Sequence, residues 1–548
     1  MRKRAIALSV VLIGIVSFSF TPPAERYFEI AKNLEIFASV FKEVNNLYVD
    51  EINPNKTIRV GIDAMLGSLD PYTNFISEDQ VEDFRTQNTG QYGGIGAVTR
   101  TIGNRTVITM VYEAYPAFKN GLKIGDEIVK MDGVDLSKLT MEEANQLMRG
   151  QVGTLVKLTV KRMGQNNPVE IEFKREKIKI SNVPYFGMIA PDMGYVQLTE
   201  FTVDAGKDVK NAVVALKEKG AKYIILDLRG NPGGLLHEAV NICNIFIPKG
   251  KKVVDTKGKV SENNITYQTL NNPVDLDIPL AVIVNRGSAS ASEIVAGTLQ
   301  DYDRAVVLGE KSYGKGLVQI PRQLSYHSQV KITTAKYYTP TGRCIQVLDY
   351  AHRREDGSAG TLPDSLKKEF STTHGRKVFD GGGIDPDVKI ESPQPAMITQ
   401  SLFREGFIFD FATQYAYAHP TISEAKSFSI GDQDYHEFVA WMKNKSISYE
   451  SSLETELNEL VDLAKRERSY DDLKPSLDLI KSRISDGRKN DLINYKDQIK
   501  PLLEEDIASR YYFEKGAVEV RFKNDSEVKK AMDVLRNQSE YKKILHLE

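Results

Sequence analysis

Short apolar runs alternate with amphipathic segments between residues 190 and 390. The runs YIILDL (223–228) and PLAVIVN (Pro279–Asn285) are almost continuously apolar over the length of a strand, and Ala205–Lys219 repeats apolar residues at helical spacing. Strands that are apolar on both faces and are separated by helices are typical of a sheet covered on both sides. The pattern therefore predicts an α/β domain, which we place at residues 176–392.

Residues 88–175 follow a different pattern. The segments TVITMVY and TLVKLTVKR alternate in polarity, which predicts strands, and Thr140 with Glu143 forms a capping box for a helix that runs to Arg149. The glycine-rich stretch QYGGIGAV (Gln91–Val98) comes before them. These features predict a separate β-rich domain with helices.

Both flanks of the chain are predicted to be helical. In Ala31–Tyr48 apolar residues recur at three- and four-residue steps, which predicts an amphipathic helix within an N-terminal segment at residues 23–87. Residues 393–548 are charged and carry helical spacing, as in SSLETELNELVDLAKRER, so we predict a helical C-terminal extension there. A structural role for this extension and an oligomerisation or adaptor surface both remain open.

The first 22 residues have the pattern of a signal peptide. Arg2, Lys3 and Arg4 precede an apolar stretch at residues 5–20, and two prolines follow it. This pattern predicts export, either to the periplasm or to the outer face of the inner membrane. Cleavage of the segment and its retention as a membrane anchor both remain open.

Composition argues against several classes of function. The 548 residues carry a net charge of −2, so no overall basicity attracts nucleic acid. The two cysteines, Cys243 and Cys344, belong to no CxxC pair, and a disulfide between them remains open. The seven histidines show no paired ligand spacing, so we expect neither a metal site nor a cofactor.

The segment GEKSYGKG (309–316) fits most of a phosphate-binding loop. Gly314 and Lys315 match that motif, but Gly316 stands where the motif needs Ser or Thr, and Pro321 leaves little room for the helix that should follow. We interpret the segment as a glycine turn that enters a strand. A nucleotide-binding protein is therefore disfavoured, and Lys315 needs another explanation.

A serine-rich turn follows the second buried strand. It contains Ser288, Ser290 and Ser292, and Ser290 with Glu293 fits a capping box, so a purely structural role for Ser290 remains open. A serine at a helix N-terminus also has N–H groups beside its hydroxyl that can stabilise an oxyanion, provided that a base activates the serine. Lys315 lies 25 residues downstream of Ser290. Burial would lower the pKa of this lysine and let it act as that base.

The stretch GSASASEIVAGTLQDYDRAVVLGEKSYGKGLVQ strongly resembles the carboxyl-terminal processing proteases, or tail-specific proteases, of serine peptidase family S41. The segments LDLRGNPGGLL (Leu226–Leu236) and GGGIDPDV (Gly381–Val388) occur in the order typical of this family. The resemblance implies a serine endopeptidase in which Ser290 is the nucleophile, Lys315 is the general base and Gln319 orients the lysine.

The same resemblance implies an oxyanion hole and a peptide-binding loop. The N–H of Ala291 and one N–H from the turn at Gly233 and Gly234 would form the hole. The segment GLKIGDEIVKMDG, with YGGIGA upstream, resembles a PDZ domain, whose loop offers N–H groups to a peptide's terminal carboxylate. This loop would comprise Tyr92, Gly93, Gly94, Ile95 and Gly96.

The expected architecture is therefore an α/β multidomain protein: a PDZ-like domain, a protease core of the S41 type, a helical N-terminal segment and a helical C-terminal extension. The expected partners are protein or peptide substrates with free C-termini, and no nucleic acid. An adaptor protein and a homo-oligomer remain open. The alternative function is a noncatalytic PDZ scaffold or a periplasmic chaperone.

Overall fold

The computed structural model describes residues 23–361, 363–391, 394–488 and 490–547. The predicted signal peptide or anchor at residues 1–22 lies outside these ranges. None of the helices within them combines the length and the apolar composition needed to span a bilayer. The chain divides into two compact units. The smaller unit comprises the residues up to Phe75 together with the short segment Val330–Ile332, and the larger unit comprises the rest.

The smaller unit consists mainly of two helices, α1 (Pro23–Leu47) and α2 (Pro54–Gly67). Asn53 caps α2, because its side-chain oxygen accepts a hydrogen bond from the N–H of Lys56 at 3.1 Å. The predicted amphipathic helix falls on α1, as its spacing indicates. Its apolar residues are exposed: Tyr27, Phe28, Leu34, Phe37, Val40 and Val44.

The larger unit contains a β-rich domain. A short strand, β1 (Asn74–Ile76), and helix α3 (Val81–Thr89) precede it. Its strands are β2 (Gln91–Gly94), β3 (Ala97–Ile102), β4 (Arg105–Val111), β5 (Glu127–Met131), β6 (Val134–Asp135), β7 (Leu155–Lys161), β8 (Val169–Lys174) and β9 (Glu176–Lys179). Its helices are α4 (Pro116–Lys119) and α5 (Met141–Met148).

The sheet of this domain has the strand order β3-β4-β5-β7-β8, with β6 paired to β5, so β3 is an edge strand. The predicted capping box begins α5: the N–H of Thr140 donates to Glu143 Oε2 at 2.8 Å, and the N–H of Glu143 donates to Thr140 Oγ1 at 3.3 Å. Strands β2 and β9 form a separate antiparallel ribbon. Residues 176–179, which the sequence assigned to the protease core, thus pair with part of the predicted PDZ loop.

The predicted protease core contains a second large sheet. Its order is β10-β11-β12-β15-β16-β23, and every pair is parallel except β10 with β11. These strands are β10 (Tyr185–Ala190), β11 (Met193–Gln197), β12 (Tyr223–Asp227), β15 (Leu280–Val284), β16 (Val306–Gly309) and β23 (Val388–Lys389). Helices α6 (Ala205–Glu218), α7 (Leu236–Phe246) and α8 (Ala291–Asp301) connect them.

The remaining strands of this part of the chain lie outside the central sheet. They are β13 (Lys252–Gly258), β14 (Ile265–Gln268), β17 (Leu317–Gln323), β18 (Gln329–Tyr338), β19 (Leu348–Arg353), β20 (Ala359–Thr361), β21 (Glu369–Ser371) and β22 (Lys377–Phe379). Strand β13 lies between β14 and β18 in an antiparallel sheet.

The two faces of the central sheet are covered by different parts of the chain. Alternate residues of the strands, such as Leu226, Val282 and Val307, share one hydrophobic cluster with α6, α7 and α8. The intervening residues, such as Ile225 and Ile283, share another cluster with residues beyond 517. The predicted sheet with both faces covered is confirmed, but the second cover comes from the C-terminal extension.

The extension is helical, as predicted. Its helices are α9 (Met397–Arg404), α10 (Phe407–Ala418), α11 (Asp432–Met442), α12 (Ser452–Arg466), α13 (Tyr470–Arg488), α14 (Asp491–Asn494), α15 (Lys496–Arg521), α16 (Ser526–Arg536) and α17 (Gln538–Ile544). Much of it packs around its own apolar core. Helices α16 and α17 instead bury Val528, Val534 and Tyr541 against the central sheet.

The extension also contacts the β-rich domain. Phe409 of α10 belongs to that domain's hydrophobic cluster. Arg105 of β4 donates two hydrogen bonds to the carboxylate of Asp410, at 2.9 and 3.2 Å. The rings of Phe118 and Phe513 meet edge to face at 5.5 Å between centroids. The extension therefore packs on both the β-rich domain and the predicted protease core.

Candidate active site

Three turns meet at the carboxyl edge of the central sheet, where ligand sites of open parallel sheets form. They follow β12, β15 and β16 and comprise residues 228–235, 285–290 and 310–316. The N–H of Ala289 in the second turn donates to the carbonyl of Asn231 in the first at 3.0 Å. The N–H of Tyr313 in the third turn donates to the carbonyl of Ser288 at 3.0 Å.

The three serines of the second turn and of the helix that follows differ in what their hydroxyls do. Ser288 Oγ donates to the carbonyl of Leu228 at 2.8 Å, and Ser292 Oγ donates to the carbonyl of Asn231 at 2.9 Å. Both serines are completely buried, whereas Ser290 is half-buried. Of the three hydroxyls, that of Ser290 is therefore the one that a substrate can reach.

The backbone of Ser290 is strained. Its φ is 56° and its ψ is −110°, a conformation that costs a residue other than glycine about 1–3 kcal/mol. Ser290 is the N-cap of α8, but within the described residues its side chain makes no capping hydrogen bond. A strained serine between a strand and a helix N-terminus is also the arrangement of the nucleophile turn in α/β-hydrolases.

Glu293 joins the serine turn (residues 285–290) to the lysine turn (residues 310–316). This completely buried carboxylate accepts four hydrogen bonds: from Ser290 N (2.7 Å), Lys315 N (3.0 Å), Gly314 N (2.7 Å) and Ser312 Oγ (2.6 Å). Burial raises the pKa of Glu293, and these four hydrogen bonds lower it in part. The sequence pattern indicated only its capping contact with Ser290, because the other three donors lie about 20 residues downstream.

The same carboxylate holds the backbone of Lys315 close in space to the backbone of Ser290. The N–H groups of Ser290 and Lys315 donate to one oxygen, Oε2 of Glu293. The two nitrogens therefore lie no farther apart than the sum of those hydrogen-bond lengths. Lys315 is half-buried.

Gln319 lies on β17, four residues after Lys315. It is half-buried, and its side-chain amide donates to Thr333 Oγ1 of β18 at 3.1 Å. The hydroxyl of Thr333 thus sets the direction of this amide. The orientation of Lys315 by Gln319 stays a prediction.

Gly233 of the first turn lies against the turn that carries Ser290. A Cβ placed on Gly233 would lie 2.7 Å from the Ala289 carbonyl oxygen, 2.8 Å from the Ala291 nitrogen and 2.9 Å from Ser290 Cβ. The N–H of Gly233 donates to Asn231 Oδ1 at 2.9 Å. Within the described residues, no hydrogen bond is present from the N–H of Gly234 or Ala291. Of the predicted donors, these two remain available to an oxyanion.

The predicted PDZ loop divides into two parts. Tyr92, Gly93 and Gly94 belong to β2 and pair with β9. Ile95 is buried and its carbonyl accepts the N–H of Ala117 at 2.8 Å, and Gly96 turns the chain into β3 with a φ of 77°. The second edge of β3 faces α5, where Thr99 Oγ1 lies 3.2 Å from Asn145 Oδ1. A peptide that adds a strand to β3 and binds this loop by its C-terminus would end beside Gly96.

Neither of the two cysteines forms a disulfide. Both cysteines are free: Cys243 is buried and Cys344 is half-buried. Burial raises the pKa of the Cys243 thiol to about 12, so this thiol is unreactive near neutral pH. Among the described residues, no cluster of three or more histidine, cysteine or acidic side chains is arranged to hold a metal ion.

Comparisons with protein families match most of the chain piece by piece. Residues 93–173 match the PDZ domain family, and residues 192–350 match peptidase family S41. Residues 398–535 match a family described as "Probable PDZ-protease, C-terminal helical domain". These matches agree with the β-rich domain, the protease core and the helical extension of the structure.

Similar proteins carry protease names. The "Carboxy-terminal-processing protease" of Bartonella bacilliformis is 37% identical over 368 residues, which span 66% of this chain and 76% of the relative. The "Probable CtpA-like serine protease" of Staphylococcus aureus is 35% identical over 65% of this chain and 70% of its own length. Among solved structures, the "Photosystem II D1 C-terminal processing protease" shares 25% identity, covering 69% of this chain and 97% of its own, with a TM-score of 0.36.

The family resemblance of the sequence is thus confirmed by relatives that align over about two thirds of the chain. The aligned families place a PDZ domain before a serine protease core, in the order in which the structure has them. This chain belongs to the carboxy-terminal-processing serine proteases of peptidase family S41.

Proposed function

We propose that this protein is an exported endopeptidase that binds the free C-terminus of a protein substrate and cleaves the substrate with a Ser290–Lys315 dyad. The observation that carries the dyad is the shared acceptor: one buried oxygen of Glu293 binds the N–H groups of both residues. A contact of this kind keeps the turns that carry nucleophile and base in fixed positions, as general-base catalysis requires.

The proposed reaction proceeds through an acyl-enzyme. Ser290 Oγ attacks the peptide carbonyl carbon while the neutral amine of Lys315 takes the hydroxyl proton. The N–H groups of Ala291 and Gly234 stabilise the oxyanion of the tetrahedral intermediate. The C–N bond then breaks, Lys315 returns the proton to the leaving amine, and water hydrolyses the remaining ester with Lys315 again as base.

Substitution of the two residues tests the dyad. We expect Ser290→Ala and Lys315→Ala to abolish cleavage of a protein substrate with an unstructured C-terminus, measured by mass spectrometry of the products. Lys311→Ala is the matched control, because Lys311 lies on the same turn but pairs with Asp385 at 3.3 Å. Cleavage by Lys315→Ala at the wild-type rate would refute the dyad. A noncatalytic scaffold would show no difference between wild type and Ser290→Ala.

The PDZ part of the proposal rests on the edge of β3 and the Gly96 turn. Peptides that differ only in a free or amidated C-terminus test it by competition and by cleavage rate. We expect amidation to weaken binding and to lower cleavage, because the loop N–H groups lose a negatively charged partner. Equal affinity for both forms would show that the carboxylate is not recognised.

Peptide binding could also align Lys315 with Ser290. In that case a Gly96→Ala substitution, whose Cβ would lie 2.3 Å from Tyr115 Cβ, lowers kcat on saturating substrate as well as affinity. An unchanged kcat in this variant would restrict the loop to binding.

The cellular location and assembly of the protein are proposed from the sequence alone. Fractionation of cells that express the full chain or a chain without residues 1–22 tests export, with loss of the periplasmic fraction expected for the shorter chain. The adaptor protein and the homo-oligomer stay predictions, and light scattering of the purified protein tests the second.

A further inference from the structure

The turn that carries Gly233 and Gly234 is tied to the C-terminal extension through one side chain, Arg229. This arginine is mostly buried, with 18% of its side chain exposed, and it lies just before the glycines. Its guanidinium faces three carboxylates, those of Asp227, Asp525 and Glu527. Two of the three belong to the extension, almost 300 residues away in sequence.

Every nitrogen of the guanidinium takes part. Nε and one terminal nitrogen donate to Asp227 at 2.5–3.0 Å. The two terminal nitrogens donate to Asp525 at 2.7 and 3.1 Å, and one of them also donates to Glu527 at 2.5 Å. A forked arrangement of this kind fixes both the position and the plane of an arginine. The three carboxylates are themselves at most 7% exposed.

The acceptors from the extension are held in place by α16. Asp525 is the N-cap of this helix and accepts the N–H of Val528 at 2.9 Å, and Glu527 lies in its first turn. The same helix covers the second face of the central sheet. Glu527 also lies beside the end of β16, since a Cβ on Gly309 would be 3.4 Å from its Oε1. The first turn of α16 therefore contacts the sheet edge directly beneath the active-site turns.

From Arg229 the connection continues into the site. Its N–H donates to Asp227 Oδ1 at 2.9 Å, and the N–H of Gly230 donates to Asn285 Oδ1 at 2.9 Å. The next residue, Asn231, accepts the N–H of Ala289 at its carbonyl. A shift of Arg229 would thus move the glycine turn relative to Ser290.

We infer that Asp525 and Glu527 of the C-terminal extension are positioning residues for the active site, which act through Arg229 on the turn that bears the oxyanion donor. The inference rests on the proposed role of Gly234 in the oxyanion hole. It gives the extension a catalytic purpose beyond covering the sheet: it supplies the counter-charges that fix this turn.

Glu527→Gln in the full-length protein tests the inference, because glutamine keeps the size of the side chain and removes its charge. We expect kcat on a peptide substrate to fall by about tenfold with KM changed less than twofold, since a displaced oxyanion donor affects the transition state rather than substrate binding. Affinity for a peptide aldehyde, whose adduct oxygen occupies the oxyanion hole, should fall by a similar factor. Glu527→Asp, which keeps the charge, should recover much of the loss.

The matched control is Arg536→Gln. Arg536 lies in the last turn of α16, at the opposite end from Glu527. It pairs with Asp192 of the core at 2.7 and 3.2 Å. This variant loses an ion pair between the same two parts of the protein, and its kcat should stay within twofold of wild type. A kcat of Glu527→Gln that also stays within twofold, or a fall in kcat without a fall in aldehyde affinity, would overturn the inference.

The assay separates this inference from the proposed dyad. Ser290→Ala and Lys315→Ala report on the dyad, and Glu527→Gln reports on the turn. If Lys315→Ala stays active and Glu527→Gln loses kcat, the dyad is refuted but the positioning role is not. If Lys315→Ala is inactive and Glu527→Gln is fully active, the dyad holds and the positioning role is refuted.

Discussion

Four donors on one buried carboxylate make Glu293 the residue on which the geometry of the active site most directly depends. They come from the serine turn and from the lysine turn, and each oxygen accepts two hydrogen bonds. A buried group of this kind cannot lose one acceptor without leaving a donor unsatisfied, which costs about 1–3 kcal/mol. Its role is therefore open to direct measurement.

We expect Glu293→Gln to lower kcat by about 10²-fold, because a glutamine has one acceptor oxygen and an NH₂ group that faces N–H donors, and small displacements of catalytic groups have effects of this size. Steady-state kinetics on a peptide substrate measures it. Glu310→Gln in the lysine turn is the control, since Glu310 contacts Arg286 at 3.6 Å and lies outside this network. A Glu293→Gln enzyme with wild-type kcat would show that the turns keep their positions without the carboxylate.

The pH dependence of stability provides a second test of Glu293. Burial raises its pKa above the ordinary value of 4.5, so folding penalises the ionised form. The contribution of the Glu293 carboxyl to the free energy of unfolding is then fully present below pH 4.5. It is lost as the pH rises through the raised pKa of the folded protein. We expect the Tm difference between wild type and Glu293→Gln to narrow as the pH increases from about 4.5. A difference that widens would mean that the four hydrogen bonds lower the pKa overall.

At the scale of elements, the glycine turn after β12 and the strand-to-helix turn at Ser290 fit each other closely. Gly233 has a φ of 98°, and a side chain there would meet backbone atoms of residues 289 and 291 and the Cβ of Ser290. Those atoms cannot move aside unless Ser290 moves with them.

Gly233→Ala should therefore lower kcat by about 10²-fold or more. Gly230→Ala is the matched control: Gly230 lies in the same turn with a φ of 68°, but a Cβ there meets nothing within 4 Å. Both variants carry the backbone strain of a left-handed residue, and only Gly233→Ala adds the clash. Equal losses in the two enzymes would assign the effect to strain rather than to the contact with Ser290.

Local patterns in the sequence predicted many of these elements. The apolar runs identified β12 and β15, and the spacing at Ala205–Lys219 identified α6, because burial and helical periodicity leave a direct imprint on neighbouring residues. The contacts of Glu293 with the lysine turn left no such imprint. The contacts of Arg229 with Asp525 left no imprint either, because a hydrogen bond between residues far apart in sequence produces no local periodicity.

At the scale of the whole molecule, the last helices of the C-terminal extension complete the protease core. Connections between its own parallel strands place α6, α7 and α8 on one face of the central sheet, and α16 and α17 cover the other. The sequence predicted that both faces are covered but assigned the extension to a separate domain of undetermined role. Its helices could be recognised from their own spacing, whereas the surface on which they pack could not.

Removal of the extension should consequently prevent the core from folding. A chain that ends at residue 391 would expose the apolar face of the sheet, which includes Tyr195, Ile225, Ile283, Val306 and Leu308. Each large apolar side chain contributes about 1.5–3 kcal/mol when it is buried. The sum of these contributions is comparable to the whole stability of an ordinary domain, about 5–15 kcal/mol.

We expect the shortened chain to be insoluble, or to bind a hydrophobic dye and unfold without cooperativity, as measured by dye fluorescence and by circular dichroism during heating. Residues 394–547 supplied as a second chain should restore solubility, because they replace the missing layer. Cleavage should return when wild-type residues 394–547 are added, and should return only weakly when the added segment carries Glu527→Gln. That pair of results would show that the extension both completes the sheet and positions the active site. A shortened chain that is soluble, cooperative and as active as the full-length protein would contradict both roles.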